Sequence, residues 1–536
     1  MNNTGFETLD YIVFGLYALL IVGVGLWVSR EKGGKEKDSK DYFLASKSLP
    51  WWAIGASLIA SNISAEQFIG MSGSGFRLGL AIATYEWMAA ITLLVVAWFF
   101  LPIFLQKGIF TMPQFLEERY DSRVRTLLAV FWLAVFIFVN LTSVLYLGAL
   151  AMENIMGVRL GIGMAGLAIF AIVYSVYGGL KAVAWTDVVQ VVFLIGGGLV
   201  TTYLALDAYG GLGKLMGDVG DRFNMILFEE ELLFQNDKGE TEDAYNLLPG
   251  LSVLIGGMWI ANLYYWGCNQ YIIQRALAAK SIKEAQRGVA FAGYLKLLLP
   301  LIVVIPGIVA YAMQLEDPTA VDITKADEAY PWLLGNFVPT GLKGLAFAAL
   351  AAAIVSSLAS MMNSTSTIFT MDLYKPFINK DASEKELVNV GRLVALASMA
   401  VAGVAAYPLL GGDDQVFQSI QNWTGLVSPG VLAVFIMGLF WKKSTPVAAL
   451  SSALLSVPLS FGINEFLPSI PFMNRMGIVF LISVGLIVAI SLIQGKGEDH
   501  PKGIDHGEIV REKDNIFVAA ATGIVILTTL LYVTFW

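Results

Sequence analysis

Two ionisable residues stand in stretches that are otherwise apolar: Glu86 in TYEWMAAITLLV and Lys296 in FAGYLKLLLPLIVV. A carboxylate or an ammonium is costly in hydrocarbon, so each marks either a functional position or a structural pair. Three carboxamides share this setting, Gln67, Asn262 and Gln421, beside Tyr265, Trp266 and Phe417. Together these groups offer donors and acceptors for hydroxyls and flat rings for a C–H face, which is what a neutral polyhydroxyl ring needs. Such a ligand would lie between Glu86 and Lys296; the alternatives are that the two pair with each other or that each has its own partner. A charged ligand would more naturally face an arginine clamp, which these spans lack. A second constellation is made of hydroxyls. In AAAIVSSLASMMNSTST, Ser356, Ser360, Asn363 and Thr367 recur at helical spacing and form one stripe. Small residues of this kind also serve close helix packing. The adjacent Ser356 and Ser357 could join backbone carbonyls in an all-oxygen cage. With no carboxylate evident beside it, that cage suits a monovalent cation better than Ca²⁺.

The elements that must position these residues are membrane helices. Hydrophobic residues make up 57% of the 536 and charged residues only 14%, against roughly 25% in a soluble domain. The apolar residues fall in fourteen blocks: 8–28, 50–75, 80–105, 126–152, 159–177, 184–208, 249–274, 287–313, 340–372, 390–409, 415–440, 446–466, 472–494 and 515–536. Each is about the 20 residues that cross a hydrocarbon core. Basic loops alternate with acidic ones. Arg30, Lys32, Lys35, Lys37, Lys40 and Lys47 lie in the first loop; Arg119, Arg123, Arg125, Lys283, Arg287, Lys442 and Lys502 lie in later loops of the same side. Glu229, Glu230, Glu231, Asp237, Glu316, Asp317 and Asp322 lie opposite. The positive-inside rule makes the basic side cytoplasmic and puts both termini outside. On this count Glu86 lies ~9 Å deep from one face and Lys296 ~12 Å deep from the other.

Blocks 2–6 and 7–11 are five helices each and opposite in orientation, the arithmetic that an inverted repeat requires. The expected divisions are an extra helix and basic loop at 1–49, a first repeat at 50–208, an acidic outer loop at 209–248, a second repeat at 249–441 and three further helices at 442–536. The second block holds Ser61, Asn62, Ser64, Glu66 and Gln67 at its centre, then Gly70, Gly73 and Gly75. It is either a helix buried in the bundle or a discontinuous one near Ile63–Gly70 whose freed carbonyls bind a cation. The seventh block, with Asn262, Tyr264, Tyr265, Trp266 and Gly267, occupies the matching place, and a matched pair of interrupted spans points to a transport site. The lone Cys268 excludes an intrachain disulfide. His500 and His506 share one charged loop, which excludes a histidine site in the membrane.

Four segments carry a family resemblance: GASLIASNISAEQFIGMSGSG, YSVYGGLKAVAWTDVVQ, ANLYYWGCNQYIIQRALAAKS and AALAAAIVSSLASMMNS. They resemble the sodium:solute symporter family, in its bacterial sodium/galactose branch, over nearly the whole chain. The resemblance implies an all-α polytopic membrane protein of 14 transmembrane helices with a five-plus-five inverted-repeat (LeuT-like) core, working in the inner (plasma) membrane as a Na⁺-coupled hexose carrier and not as an enzyme. It implies Na⁺, the co-transported ion, on the carbonyls of Ala60, Ile63 and Ala353 and the hydroxyls of Ser356 and Ser357. Asp187 stands where the family has an acidic residue linked to sodium exit and coupling. Sugar would sit on Gln67, Glu86, Asn262, Lys296 and Gln421, with Tyr265 as inner gate, Met71, Tyr85 and Phe417 as outer gate and Trp266 lining the pocket. The expected partners are a small sugar, Na⁺ and the lipid bilayer, with no nucleic acid, in a monomer or weak homodimer. One departure is Ala89, where the galactose carriers have a serine hydroxyl on the sugar. It leaves the choice open between galactose, glucose and a related hexose. Rival solutes on the same scaffold are an inositol, a sialic acid or an amino acid, and a sensor role is the remaining rival.

Overall fold

Apolar blocks in hydrocarbon must satisfy their backbone internally, and the helix does this within one segment. The computed structural model describes residues 5–29, 47–235, 239–321, 323–412 and 415–536, apart from the side chains of 26, 29 and 174–182. Arg30, Lys32, Lys35, Lys37 and Lys40 of the first basic loop, and Asp237 and Asp322 of the acidic side, lie outside the described residues. Among those residues, 12 helical stretches are long and apolar enough to cross a membrane, from Thr8–Gly25 to Asn515–Thr534. Two expected blocks do not stand in that set on their own. Block 50–75 is broken into shorter helices. Block 159–177 runs without interruption into the next, as one helix Leu160–Tyr209. Its expected connecting loop is therefore helical backbone. The outer loop 209–248 also departs from an all-helical chain: Leu233–Gln235 and Thr241–Asp243 pair as a short antiparallel ribbon, with Phe234 tucked inward.

Burial ranks the helices. The most apolar windows of Leu342–Ile378 and Ile282–Glu316 are 89% and 78% buried, against 22% for both terminal helices. The two buried helices form the centre, and the terminal ones face lipid. Helix Ile282–Glu316 meets helix Trp51–Asn62 backbone to backbone. A Cβ on Gly55 would lie 2.6 Å from the Gly288 carbonyl, and one on Gly288 would lie 2.7 Å from the Trp51 carbonyl. Only glycine permits that approach.

The helix ends beside the basic loops are capped by short polar side chains, as helix starts require. Thr111, Asp121, Ser281, Ser383, Thr445 and Asp514 each accept a hydrogen bond from the first turn that follows. Two of the arginines on this side are structural. Arg119, 2% exposed, donates to the carbonyls of Gly438, Trp441, Lys442 and Ser444, and so caps the end of helix Val416–Phe440. Arg125 pairs with Glu117 and Asp372. Segment 496–514 then lies across this face as a strap. Lys502 donates to the Glu117 and Tyr120 carbonyls at 2.9 Å each. Gln106 and Val510 exchange two hydrogen bonds, and His506 stacks on Phe440. Lys283–Glu512 (2.8 Å) and Arg287–Asp514 (2.6 Å) fix the strap to the start of helix Ile282–Glu316.

Candidate functional site

Helix Trp51–Asn62 stops at Ile63, whose φ of −79° and ψ of 104° are extended. The chain resumes as a wide π-turn over Glu66–Met71 and then as helix Ser72–Leu78. The sequence Ser64-Ala65-Glu66-Gln67 has the S-x-x-Q pattern of a capping box, and it folds as one. Ser64 Oγ accepts from the Glu66 N–H at 3.2 Å, and Gln67 Oε1 accepts from the Ser64 N–H at 3.0 Å. The Gln67 N–H goes to the Ser64 carbonyl at 3.2 Å. In an unbroken helix the Ser64 N–H would serve the Ala60 carbonyl and the Gln67 N–H would serve Ile63. Both carbonyls are therefore released, and they are two of the three that the family resemblance assigns to Na⁺. The interruption falls at Ile63–Ala65, inside the expected window. The glycines beyond it serve close packing instead, with Gly70 against Phe417 and Gly75 against the Val304 carbonyl.

Helix Leu342–Ile368 brings its serines to this break. Ser357 Oγ donates to the Ser61 carbonyl at 3.2 Å. Ser356 Oγ donates to Asp187 Oδ1, and Ser57 Oγ donates to Asp187 Oδ2 at 2.5 Å. Ala60, Ile63, Ala353, Ser356, Ser357 and Asp187 are all fully buried. Ser356 thus has a carboxylate beside it, Asp187, which the reading of its own span alone did not show. Asp187 and Ser356 are 169 residues apart, a separation that spacing along the chain cannot bridge. Arg275 is likewise buried within this group. It donates to Ser57 Oγ at 3.2 Å and also contacts Ser360 and the Tyr271 carbonyl. The stripe is mixed in character: Ser360 belongs to this network, Thr367 satisfies its own helix at the Asn363 carbonyl, and the Asn363 carboxamide is buried without a partner.

On the other side of Gln67 lies a cavity. Its lining includes Gln67, Met71, Tyr85, Glu86, Asn262, Tyr265, Trp266, Lys296, Phe417 and Gln421, so all ten residues expected around a ligand face one space. Ala89 lines it too. Lys296 contacts Glu86 directly and also Asn62 Oδ1, with its ammonium 5.0 Å from the centre of the Trp266 ring. Of the arrangements open from sequence, the direct pair is the one present. Asn62 Nδ2 donates to Tyr265 Oη at 2.9 Å, and Tyr265 meets Tyr271. Tyr85 and Phe417 pack edge to face at 5.4 Å above the cavity. Its free volume is about 70 Å³, room for a few waters.

Asn62, Glu66 and Asn140 are among the polar cavity residues that were not singled out as ligands from sequence. Asn62 bridges Lys296 and Tyr265. Glu66 accepts from Ser143 Oγ at 2.6 Å. Asn140 keeps an unpartnered buried carbonyl oxygen. For Asn62 and Glu66 a signal existed, since both stand in a polar run within an apolar span. Asn140 and Ser143 stand in FIFVNLTSVLYLG, where only neighbours in space give them meaning. The seventh block is interrupted as well, by a π-turn at Tyr264–Cys268 and an extended Asn269 (φ −86°, ψ 121°). The buried thiol of Cys268 ends that turn.

Comparisons with known proteins place the chain among its relatives. The chain is 53% identical to the sodium/glucose cotransporter of Vibrio parahaemolyticus over 551 residues, covering 99% of each chain. It is 36% identical to the sodium/myo-inositol cotransporter 2 of Mus musculus, over 84% of this chain and 69% of that one. A Na⁺-coupled sialic acid symporter, solved in a substrate-bound outward-open state, shares the fold with a TM-score of 0.78 at 22% identity, over 91% of this chain and 98% of that one. The model of the sodium:solute symporter family matches residues 42–456. By that match and by its identity to these relatives, the chain belongs to the sodium:solute symporter family.

Proposed function

We propose that this protein carries a neutral hexose, glucose or galactose, into the cell together with Na⁺ by alternating access. The observation that carries this reading is the double role of Gln67. Its carbonyl oxygen holds the Ser64 N–H that releases Ala60, and the same side chain lines the cavity. Ion and sugar would thus meet at one residue. Na⁺ takes the carbonyls of Ala60, Ile63 and Ala353 and the hydroxyls of Ser356 and Ser357. A hydroxyl has one hydrogen and two lone pairs, so Ser356 can keep its bond to Asp187 while facing the ion. Asp187 then draws the ion inward as it leaves. Glu86, Lys296, Asn262, Gln421 and Gln67 bind the hydroxyls of the sugar, Trp266 lines the pocket, Tyr265 stacks and gates on the inner side, and Met71, Tyr85 and Phe417 gate on the outer side. Glucose is favoured by the 53% relative, and Ala89 removes a hydroxyl partner worth ~0.5–1.5 kcal/mol.

The full architecture in this reading has fourteen spans, with repeats at 50–208 and 249–441 and both termini outside. The fifty residues of Leu160–Tyr209 are enough in number for two crossings of about 20 residues each, and this reading requires the chain to reverse direction between them. The assembly is a monomer or weak homodimer. At ~100 mV one Na⁺ supplies about 2.3 kcal/mol and a tenfold gradient about 1.4 kcal/mol, so one-to-one coupling concentrates sugar roughly 500-fold. The test is uptake of labelled glucose and galactose into proteoliposomes, with an inward Na⁺ gradient or with K⁺ in its place. Accumulation above equilibrium only with Na⁺ is expected. Equal uptake in both salts would make the protein a facilitator, and competition by myo-inositol but by neither hexose would reassign the substrate.

A further inference from the structure

A second cavity, of about 230 Å³, lies between helices Val416–Phe440, Pro446–Phe466 and Phe472–Gly495. It shares Gly425, Phe472 and Met476 with the central cavity. Its polar lining gathers near the helix ends that face away from the basic loops. Asn464 is two residues from the end of its helix and Arg475 three from the start of its own, so both lie within ~5 Å of the rim. Asn422 and Ser460 are each six residues in, ~9 Å deep. Below them the lining becomes apolar, with Leu426 and Val479, while Trp423 (54% exposed) and Phe461 (50% exposed) open the cavity sideways toward the bilayer. Among the described residues Arg475 makes no ion pair and no side-chain hydrogen bond.

We propose that this cavity holds one phospholipid, its phosphodiester on Arg475, Asn464 and Asn422 and an acyl chain against Leu426, Phe461 and Val479. Three features favour this occupant over a sugar. The lining grades from polar to apolar along the membrane normal, as a lipid does, whereas a sugar needs polar groups all round. The mouth faces hydrocarbon and is framed by the exposed rings of Trp423 and Phe461. The unpaired guanidinium matches a phosphate, which it can bind bidentately. Because Phe472 and Met476 form the partition, the bound lipid props the wall of the central cavity.

The experiment is native mass spectrometry of the delipidated full chain titrated with phosphatidylglycerol, diacylglycerol of the same chains, or inorganic phosphate. The expected result is one tight phosphatidylglycerol, weak diacylglycerol and weak phosphate, with R475Q and N464L each lowering lipid affinity about five- to tenfold and R475K retaining most of it. Unchanged lipid affinity in both R475Q and N464L would overturn the proposal, as would inorganic phosphate binding as tightly as the lipid. The readout needs no transport, so a failure here is separate from a failure of the hexose reading.

Discussion

Gln67 was legible as a polar residue in an apolar span, but its backbone role was not. Read as a ligand only, it hides that Ser64 and Gln67 form a capping box whose product is a pair of free carbonyls. This gives a prediction at the scale of one side chain. Gln67→Ala loses the bond to the Ser64 N–H, worth ~0.5–1.5 kcal/mol, and should raise the Na⁺ concentration for half-saturation several-fold even without sugar. Gln67→Glu, which keeps an acceptor, should restore most of it, and Gln421→Ala should weaken sugar while leaving Na⁺ alone. Sodium titration of tryptophan fluorescence in sugar-free detergent measures the Na⁺ response of all three, and a sugar titration at saturating Na⁺ measures the weakened sugar binding of Gln421→Ala. The Lys296–Glu86 pair supplies a second prediction. Removing one member leaves a buried charge, at a cost of about 3–5 kcal/mol. Lys296→Met should therefore lower thermal stability more than Lys296→Met with Glu86→Gln, and a single variant as stable as the double would show that the pair is not buried as described.

Helices and loops were readable from hydrophobic blocks and charge alternation, because hydrocarbon leaves the backbone few options. Breaks inside helices were readable only where polar residues clustered, as in Ser61–Gln67. The seventh block was read as interrupted without a stated position, and the break runs from the widened turn Tyr264–Cys268 to the extended Asn269. The ribbon at Leu233–Gln235 rests on cross-strand pairing with Thr241–Asp243, and the acidic composition of that loop gave no periodicity to find it by. Helix contacts were invisible to a single sequence. Gly288 looked like any small residue in an apolar run, yet it lets two helices touch at their backbones. Gly288→Ala should destabilise by about 1–3 kcal/mol through overpacking, whereas Gly462→Ala, with nothing within 4 Å of its new Cβ, should not. Fluorescence-detected size-exclusion after heating compares the two.

At the scale of the whole molecule the strap 496–514 ties together elements that the proposed cycle has to move. Its firmest joint is Arg287–Asp514. The hydrogen bond from Arg287 holds the Asp514 carboxyl below its usual range. A depressed carboxylate contributes stability that is fully present above its unfolded value, near 3.9, and is lost as pH falls through the lowered one. Stability from this joint should therefore be flat from pH 8 to about 5 and fall only in stronger acid. Asp514→Asn, which keeps the helix cap, should cost ~0.5–1.5 kcal/mol at neutral pH and flatten that acid limb; thermal melts across pH would show it. The single thiol has a different use. Cys268 is fully enclosed at the end of the interrupted turn, beside the tyrosines that would have to part. The native chain therefore carries its own optical reporter, since a maleimide dye can reach this sulfur only when that turn opens. Labelling rates with Na⁺ alone and with Na⁺ plus sugar would time the opening in a protein without a single engineered residue.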